Sequence, residues 1–262
     1  MQSKTHQLAA LHDELRQCRR CLEEGYWIET GPVFSGGAGA QVMLIGQAPG
    51  ITEGQVKRPF NAGSGRRLFQ WLGEAGWDET EFRANAYMTA VTKCYPGSSK
   101  NGKGDRVPTP FEQALCRPWL DQEIRLINPR LMLLVGGLAI KLLHSNSTRL
   151  HEIVGTAAYF PPEALAADPL NFDLSQAEII QAADDSQTID QEAEYEIRST
   201  LDGLPSLEPR AAYLERRSAG GRFVVPLPHP SGVSLWHNRK ENQLLIKRAV
   251  NLLADIRTAY DL

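Results

Sequence analysis

Residues 41–50 read QVMLIGQAPG. An apolar run meets Gly46 and passes directly into Gln47, Ala48, Pro49 and Gly50. The run is too short for a helix and does not alternate with polar residues, so it reads as a strand buried on both faces. The glycines and proline stop that strand and hand the chain to a tight loop made largely of backbone. The loop itself carries no charge, which makes any chemistry it holds depend on its neighbours.

The same pattern recurs along the chain. AYMTAV (86–91), RLMLLVGG (130–137) and RFVVPLP (222–228) read as three further strands, the second a continuous apolar run. Helical periodicity lies between and around them. It covers 5–17 (Leu8, Leu11 and Leu15 on one face), 63–76 (Leu68, Leu72 and Ala75, with Gly76 at the end) and 110–129, closed by Asn128-Pro129. A short helix follows through Leu143, and a final one runs from about Lys240 to Tyr260. Strand and helix in alternation predict a parallel sheet with helices on both faces. Ligands of such sheets bind beyond the strand C-terminal ends. Here those ends feed the loops 46–61, 92–110 and 228–238. The chain shows no internal repeat.

With 262 residues, 42% hydrophobic and 23% charged, the composition is that of a globular domain. No apolar run approaches the roughly 18 residues of a membrane span, and MQSKTHQLAALHDELRQC is polar and amphipathic rather than a secretory signal. The expectation is a cytoplasmic monomer with reduced cysteines. The net charge of −3 averages two unlike regions. Residues 161–209 hold twelve acidic side chains against Arg198 alone, a net −11, which leaves +8 for the remainder. A basic body suggests a polyanionic partner. Residues 157–221 read as an acidic insertion before the last strand, helical in part around 175–200 and otherwise loose. The whole of 1–262 is expected to form one domain carrying that insertion.

Three constellations carry chemistry. Cys18 and Cys21 form a CxxC pair, and Cys94 and Cys116 lie at the end of the second strand and inside the next helix. Four cysteines in a reducing compartment point to zinc or an iron–sulfur cluster. His229 sits between Pro228 and Pro230 at a strand exit, where stiff backbone holds the imidazole in place. A fixed neutral His can donate one hydrogen bond to a developing oxyanion. The residues after it, Ser231, Gly232, Val233, Ser234, Leu235 and Trp236, suit an apolar wedge pushed into a base stack. Phe60, in KRPFNAGSGRR (57–67), can stack on a flat ligand beside a helix N-terminus suited to phosphate. The loop 96–110 reads as mobile and basic, with Lys100, Lys103 and Arg106 set against Asp105.

Taken together, CRRC, LIGQAPG, RPFNAGSGRRLFQWLGEAG, YMTAVTKC, CRPWLDQEI…INPRLMLLVGGLAI and PLPHPSG resemble, in order, the uracil-DNA glycosylase superfamily, and most closely its iron–sulfur-containing family-4 branch. The resemblance covers most of 15–145 and 222–255. It implies a four-stranded parallel sheet in an α/β/α sandwich and a [4Fe–4S] cluster on Cys18, Cys21, Cys94 and Cys116. It also implies hydrolysis of a base–sugar bond in DNA after the nucleotide is flipped out, with uracil or a related deaminated or modified base as substrate. By position, Phe60 stacks on the base, His229 stabilises charge on its O2, and the backbone from Gly46 through Ala48 wraps its edge. Residues 231–234 contact DNA.

Two departures stand out. Ala90 occupies the position where uracil-specific members have an Asn that reads the base edge. Gln47 and Ala48 replace acids of the better-known loops, which leaves Glu53 as the candidate to orient or activate water, alongside Gln47 and His229. A catalytically weak or silent iron–sulfur DNA-binding relative is the competing reading.

Overall fold

The computed structural model describes residues 2–61, 63–100, 104–181, 220–231 and 236–262. The chain opens with α1 (Lys4–Arg16) and α2 (Arg20–Glu23), then β1 (Val42–Gly46), α3 (Ile51–Val56), α4 (Gly63–Glu74), α5 (Glu79–Asn85) and β2 (Tyr87–Ala90). There follow α6 (Pro110–Ile127), β3 (Leu131–Val135), α7 (Gly137–Ile140), α8 (Leu150–Ile153), β4 (Thr156–Phe160) and α9 (Pro162–Ala167). The strands β5 (Glu178–Gln181) and β6 (Arg222–Leu227) and the helix α10 (Lys240–Tyr260) complete the order.

The strands form one mixed sheet in the order β2-β1-β3-β6-β4-β5. β2, β1, β3 and β6 run parallel, while β4 is antiparallel to both β6 and β5. The sheet is therefore six-stranded, a correction to the four parallel strands expected. The extra pair comes from the stretch read as a loose insertion. TAAYF (156–160) is buried at every position, but its small residues Thr156, Ala157 and Ala158 give it none of the strong apolar run that marks the other buried strands in sequence. Within the part read as helical, 178–181 is a strand; residues 182–219 lie outside the described set.

Side chains alternate across the sheet into two cores. Leu44, Met88, Leu133 and Val225 face α4, α5 and α10. Met43, Ile45, Met132, Leu134 and Val224 face α1 and α6. Helix ends follow local chemistry. Thr109 and Glu112 form a capping box at the start of α6, with Pro110 in its first turn, and Asn128 ends that helix in the left-handed conformation. Arg222, fully buried, ties the entry of β6 to the carbonyls of Pro129 and Pro169 and to the Asn128 amide oxygen. The chain leaves β1 for β2 on one side and reaches β3 on the other, so the crevice at their C-terminal ends is a switch point. Among the described residues, no helix is long and apolar enough to cross a membrane.

Candidate active site

A cavity of about 460 Å³ opens at those strand ends, lined by Gly46, Gln47, Ala48, Pro49, Glu53, Phe60, Thr89, Ala90 and His229 among others. Five separate sequence segments thus meet in one place. The loop after β1 is fixed by continuation of the ladder: Val91 and Thr92 donate their N–H groups to the carbonyls of Gly46 (2.9 Å) and Gln47 (3.2 Å).

Phe60 is held in a strained form. Its φ of +51° lies in the left-handed region, unusual for an aromatic residue. Arg83 supplies the restraint, donating to the carbonyls of Pro59 and Phe60 at 2.8 Å each while its guanidinium stacks over Phe69. The ring lies against bare backbone at Gly46, where a Cβ would come within 2.8 Å of the ring's Cζ atom. Glu53 closes the same loop from the other side. One carboxylate oxygen accepts the Gly50 N–H (2.6 Å) and the other the Asn61 N–H (3.2 Å). Burial pushes Glu53 above the usual carboxylate range, and these backbone donors partly offset it.

His229 is the strand-exit residue of β6. Its Nδ1 accepts the Ser231 N–H at 3.2 Å. A backbone N–H can only donate, so Nδ1 is unprotonated and Nε2 carries the hydrogen of the neutral ring. Burial holds His229 below its ordinary value, Asp105 opposes that shift and His237 adds to it. The imidazole packs over Gly136, whose φ of +88° and lack of Cβ both permit the approach; a Cβ there would stand 2.9 Å from His229 Cδ2. Arg67 supports the loop beyond, reaching the Pro230 carbonyl (3.2 Å) and His237 Nε2 (2.6 Å).

The remaining expected residues divide. Arg106 is engaged by a two-point ion pair with Glu112, both contacts 2.6 Å. Lys100 and Ser231 are described, whereas Lys103, Gly232, Val233 and Ser234 lie outside the described residues. Arg83 is a support that sequence reading passed over, and Arg67, read only as added charge in the phosphate-suited stretch 57–67, is a second support. Each acts on a carbonyl distant in sequence, and no local pattern marks that.

The four cysteines line a second cavity of about 520 Å³. All are free thiols. Cys18 follows α1, Cys21 lies in α2, Cys94 follows β2 and Cys116 lies in α6. Two N–H groups aim at sulfur: Lys93 N–H at Cys116 (3.3 Å) and the Trp119 indole at Cys18 (3.2 Å). Burial pushes Cys21 up to about 11, the other thiols adding to the shift; Cys94 and Cys116 are raised as well, again chiefly by burial. Among the described residues, no three His, Cys, Asp or Glu side chains are drawn together as a single-ion site. The four thiols, Cys116 buried and the other three half-buried, line one cavity, and a compensating positive centre there would render them thiolate.

The conserved-domain signature described as the uracil DNA glycosylase superfamily matches residues 34–254. The chain belongs to that superfamily. Within it, the type-4 uracil-DNA glycosylase of Pyrobaculum aerophilum is 30% identical over 148 residues, 56% of this chain and 70% of that protein. The type-4 enzyme of Sulfurisphaera tokodaii is 28% identical over 138 residues, 53% and 58% respectively. That of Thermotoga maritima is 32% identical over 108 residues, 41% and 51%. The matched stretches thus span between 51% and 70% of the length of these relatives.

Proposed function

We propose that this chain is a monofunctional DNA glycosylase that hydrolyses the N-glycosidic bond of a flipped-out uracil, or of a related deaminated or modified base, in DNA. The observation that carries the reading is the His229 tautomer: a half-buried neutral imidazole in the wall of a cavity, its Nδ1 occupied by Ser231 and its Nε2–H left to donate. The relatives named above are uracil-DNA glycosylases, and the chain's membership of their superfamily supports the same reaction here.

In this reading the flipped base lies against the Phe60 ring, and the backbone of 46–49 lines its edge. As the C1′–N bond lengthens, its electron pair moves onto the base. Negative charge grows on O2, and the His229 N–H donates to it from a site already stripped of water, which avoids reorganisation at the moment of reaction. Ala90 offers no hydrogen bond to the base edge, so the Gln47 amide and backbone groups carry selection, and tolerance of more than one base is expected.

A [4Fe–4S] cluster on Cys18, Cys21, Cys94 and Cys116 belongs to the same proposal. Such a group supplies iron–thiolate bonds that tie the α1–α2 segment, the end of β2 and α6 together. The Lys93 and Trp119 N–H groups then stabilise charge on the ligating sulfurs. The continuous sheet supports reading 1–262 as one domain.

Oligonucleotides carrying uracil, hypoxanthine, xanthine or a bulky 5-substituted pyrimidine, single- and double-stranded, test the reaction by alkali cleavage at the abasic product. Release of uracil, abolished in His229→Ala, is the expected result. A protein that binds the same DNA but releases no base from any of them is a silent relative.

A further inference from the structure

Beside the cavity, next to its lining residues Pro49 and Glu53, stands a carboxylate that the mechanism above does not use. Residues 97–99 and 104–106 pair as two antiparallel arms. Ser99 N–H donates to the Gly104 carbonyl and Arg106 N–H to that of Gly97, both at 2.9 Å, and Ser98 bridges Asp105 in antiparallel pairing. The paired contacts of Arg106 with Glu112 fasten these arms to the first turn of α6. Asp105 is thereby carried over the loop that follows β1. Its Oδ2 lies 3.3 Å from the point where a Gly50 side chain would begin, and the Glu53 Oε2 lies 3.4 Å from that same point.

The two carboxylates are unequally free. Each oxygen of Glu53 already accepts one backbone N–H that shapes the loop. Asp105 is exposed and hydrogen-bonds with the Tyr95 side chain. Its charge acts on both His229 and Glu53, which sets it within electrostatic range of the reacting centre. Gly50 leaves a gap bordered by both acids, polar on two sides, of the kind that orders a water molecule. Gln47 and Ala48 present no base to that water.

We propose that Asp105, held by its pairing with Ser98 and by the neighbouring Arg106–Glu112 ion pair, is the general base that takes the proton from the attacking water. The proposal rests on the glycosylase reading. The water oxygen forms its bond to C1′ as the C1′–N bond breaks and the electron pair leaves on the base. The water's proton passes to the Asp105 carboxylate and from there to the departing base anion or to solvent, so the products are an abasic sugar and the neutral base. Glu53 is then a positioning residue, holding the loop over which the water sits.

The test is single-turnover excision of uracil from a defined oligonucleotide by wild type, Asp105→Asn and Asp105→Ala, with binding measured on the same DNA. Loss of a general base predicts a rate lower by about 100-fold or more, with affinity changed less than threefold. Added formate is expected to restore part of the rate in Asp105→Ala but not in wild type. Asp105→Asn within threefold of wild type overturns the proposal, as does a rate loss matched by lost affinity or unrelieved by formate. Wild-type protein that releases no base overturns the glycosylase reading itself, an outcome distinct from all of these.

Discussion

The Lys93 ammonium stands 2.7 Å from the Glu123 carboxylate, and both side chains are closed to solvent. Lys93 also donates to Thr89 Oγ1 (2.8 Å) and to the Ala90 carbonyl (2.6 Å), while Glu123 accepts from the hydroxyls of Tyr87 and Thr89. The pair thus links α6 to the end of β2, beneath the cavity floor. Its worth lies in completeness, because a buried charge without its partner is costly. Lys93→Met leaves Glu123 uncompensated and is expected to lower unfolding stability by about 3–5 kcal/mol. The double change Lys93→Met with Glu123→Leu recovers much of that loss. Denaturant titration of the three proteins checks both statements; equal stability of the two variants would contradict the account.

Gly46 and Phe60 make a second pair whose contact is testable. A methyl group at Gly46 would meet the Phe60 ring at 2.8 Å, closer than packed carbons approach. The ring cannot retreat freely, since Arg83 holds the Pro59 and Phe60 carbonyls. Gly46→Ala is therefore expected to displace the stacking surface and cut excision by at least about tenfold, the cost of about 1.4 kcal/mol in the transition state. The far-ultraviolet circular dichroism should stay unchanged. Undiminished excision would show that Phe60 does not stack on the base.

Histidines give the chain a definite acid response. Burial pushes His144 down to about 4, and His12, His229 and His237 are also lowered, each chiefly by burial. A lowered histidine is held neutral by the fold. Above pH 6.5 folded and unfolded chains are both unprotonated there, and the full stability is present. Below 6.5 the unfolded chain takes protons that the folded chain refuses, so stability falls as pH drops towards the folded value. For His144 that window runs from 6.5 to about 4. His144→Gln removes one titrating group, so its melting temperature should fall less between pH 7 and pH 4.5 than that of wild type. An identical pH slope in the two proteins would refute the assignment.

How much of this could be read from the sequence depended on whether a signal was local. The parallel strands were legible because VMLIG and LMLLV are apolar throughout and end at glycine, a pattern few other structures produce. The fully buried TAAYF has small residues and no glycine stop, so β4 escaped. Phe60, Gly46 and His229 converge as the motif order implied. Arg83 and Asp105 were not legible as parts of the site, and Arg67 was legible as a charge there but not as the support of the loop after His229. Asp105 in particular looked like one anion in a basic loop, because its meaning depends on the pairing of 97–99 with 104–106, pinned by Arg106 to Glu112, that sets it over Gly50. Such long-range placements leave no trace in a window of neighbouring residues.

The cysteine cavity yields the last prediction. The four thiols come from three segments, and α2, which carries Cys21 of the CxxC pair, is a single helical turn without a side-chain cap. Without bonds to a shared centre, little besides the Arg20 contacts to Trp119 and the Leu115 carbonyl secures that turn to α6. A cluster bound there adds its binding free energy to the folded state alone. Protein prepared anaerobically should contain iron and acid-labile sulfide in equal amounts, near four of each per chain if the cluster is [4Fe–4S], and should absorb visible light. Cys21→Ser and Cys116→Ser are expected to lose the colour and melt at lower temperature. The buried Cys116 should cost more, since its sulfur also accepts the Lys93 N–H. Zinc in place of iron would make this a zinc site and not a cluster, and cysteine variants that melt with wild type would show that the thiols only pack.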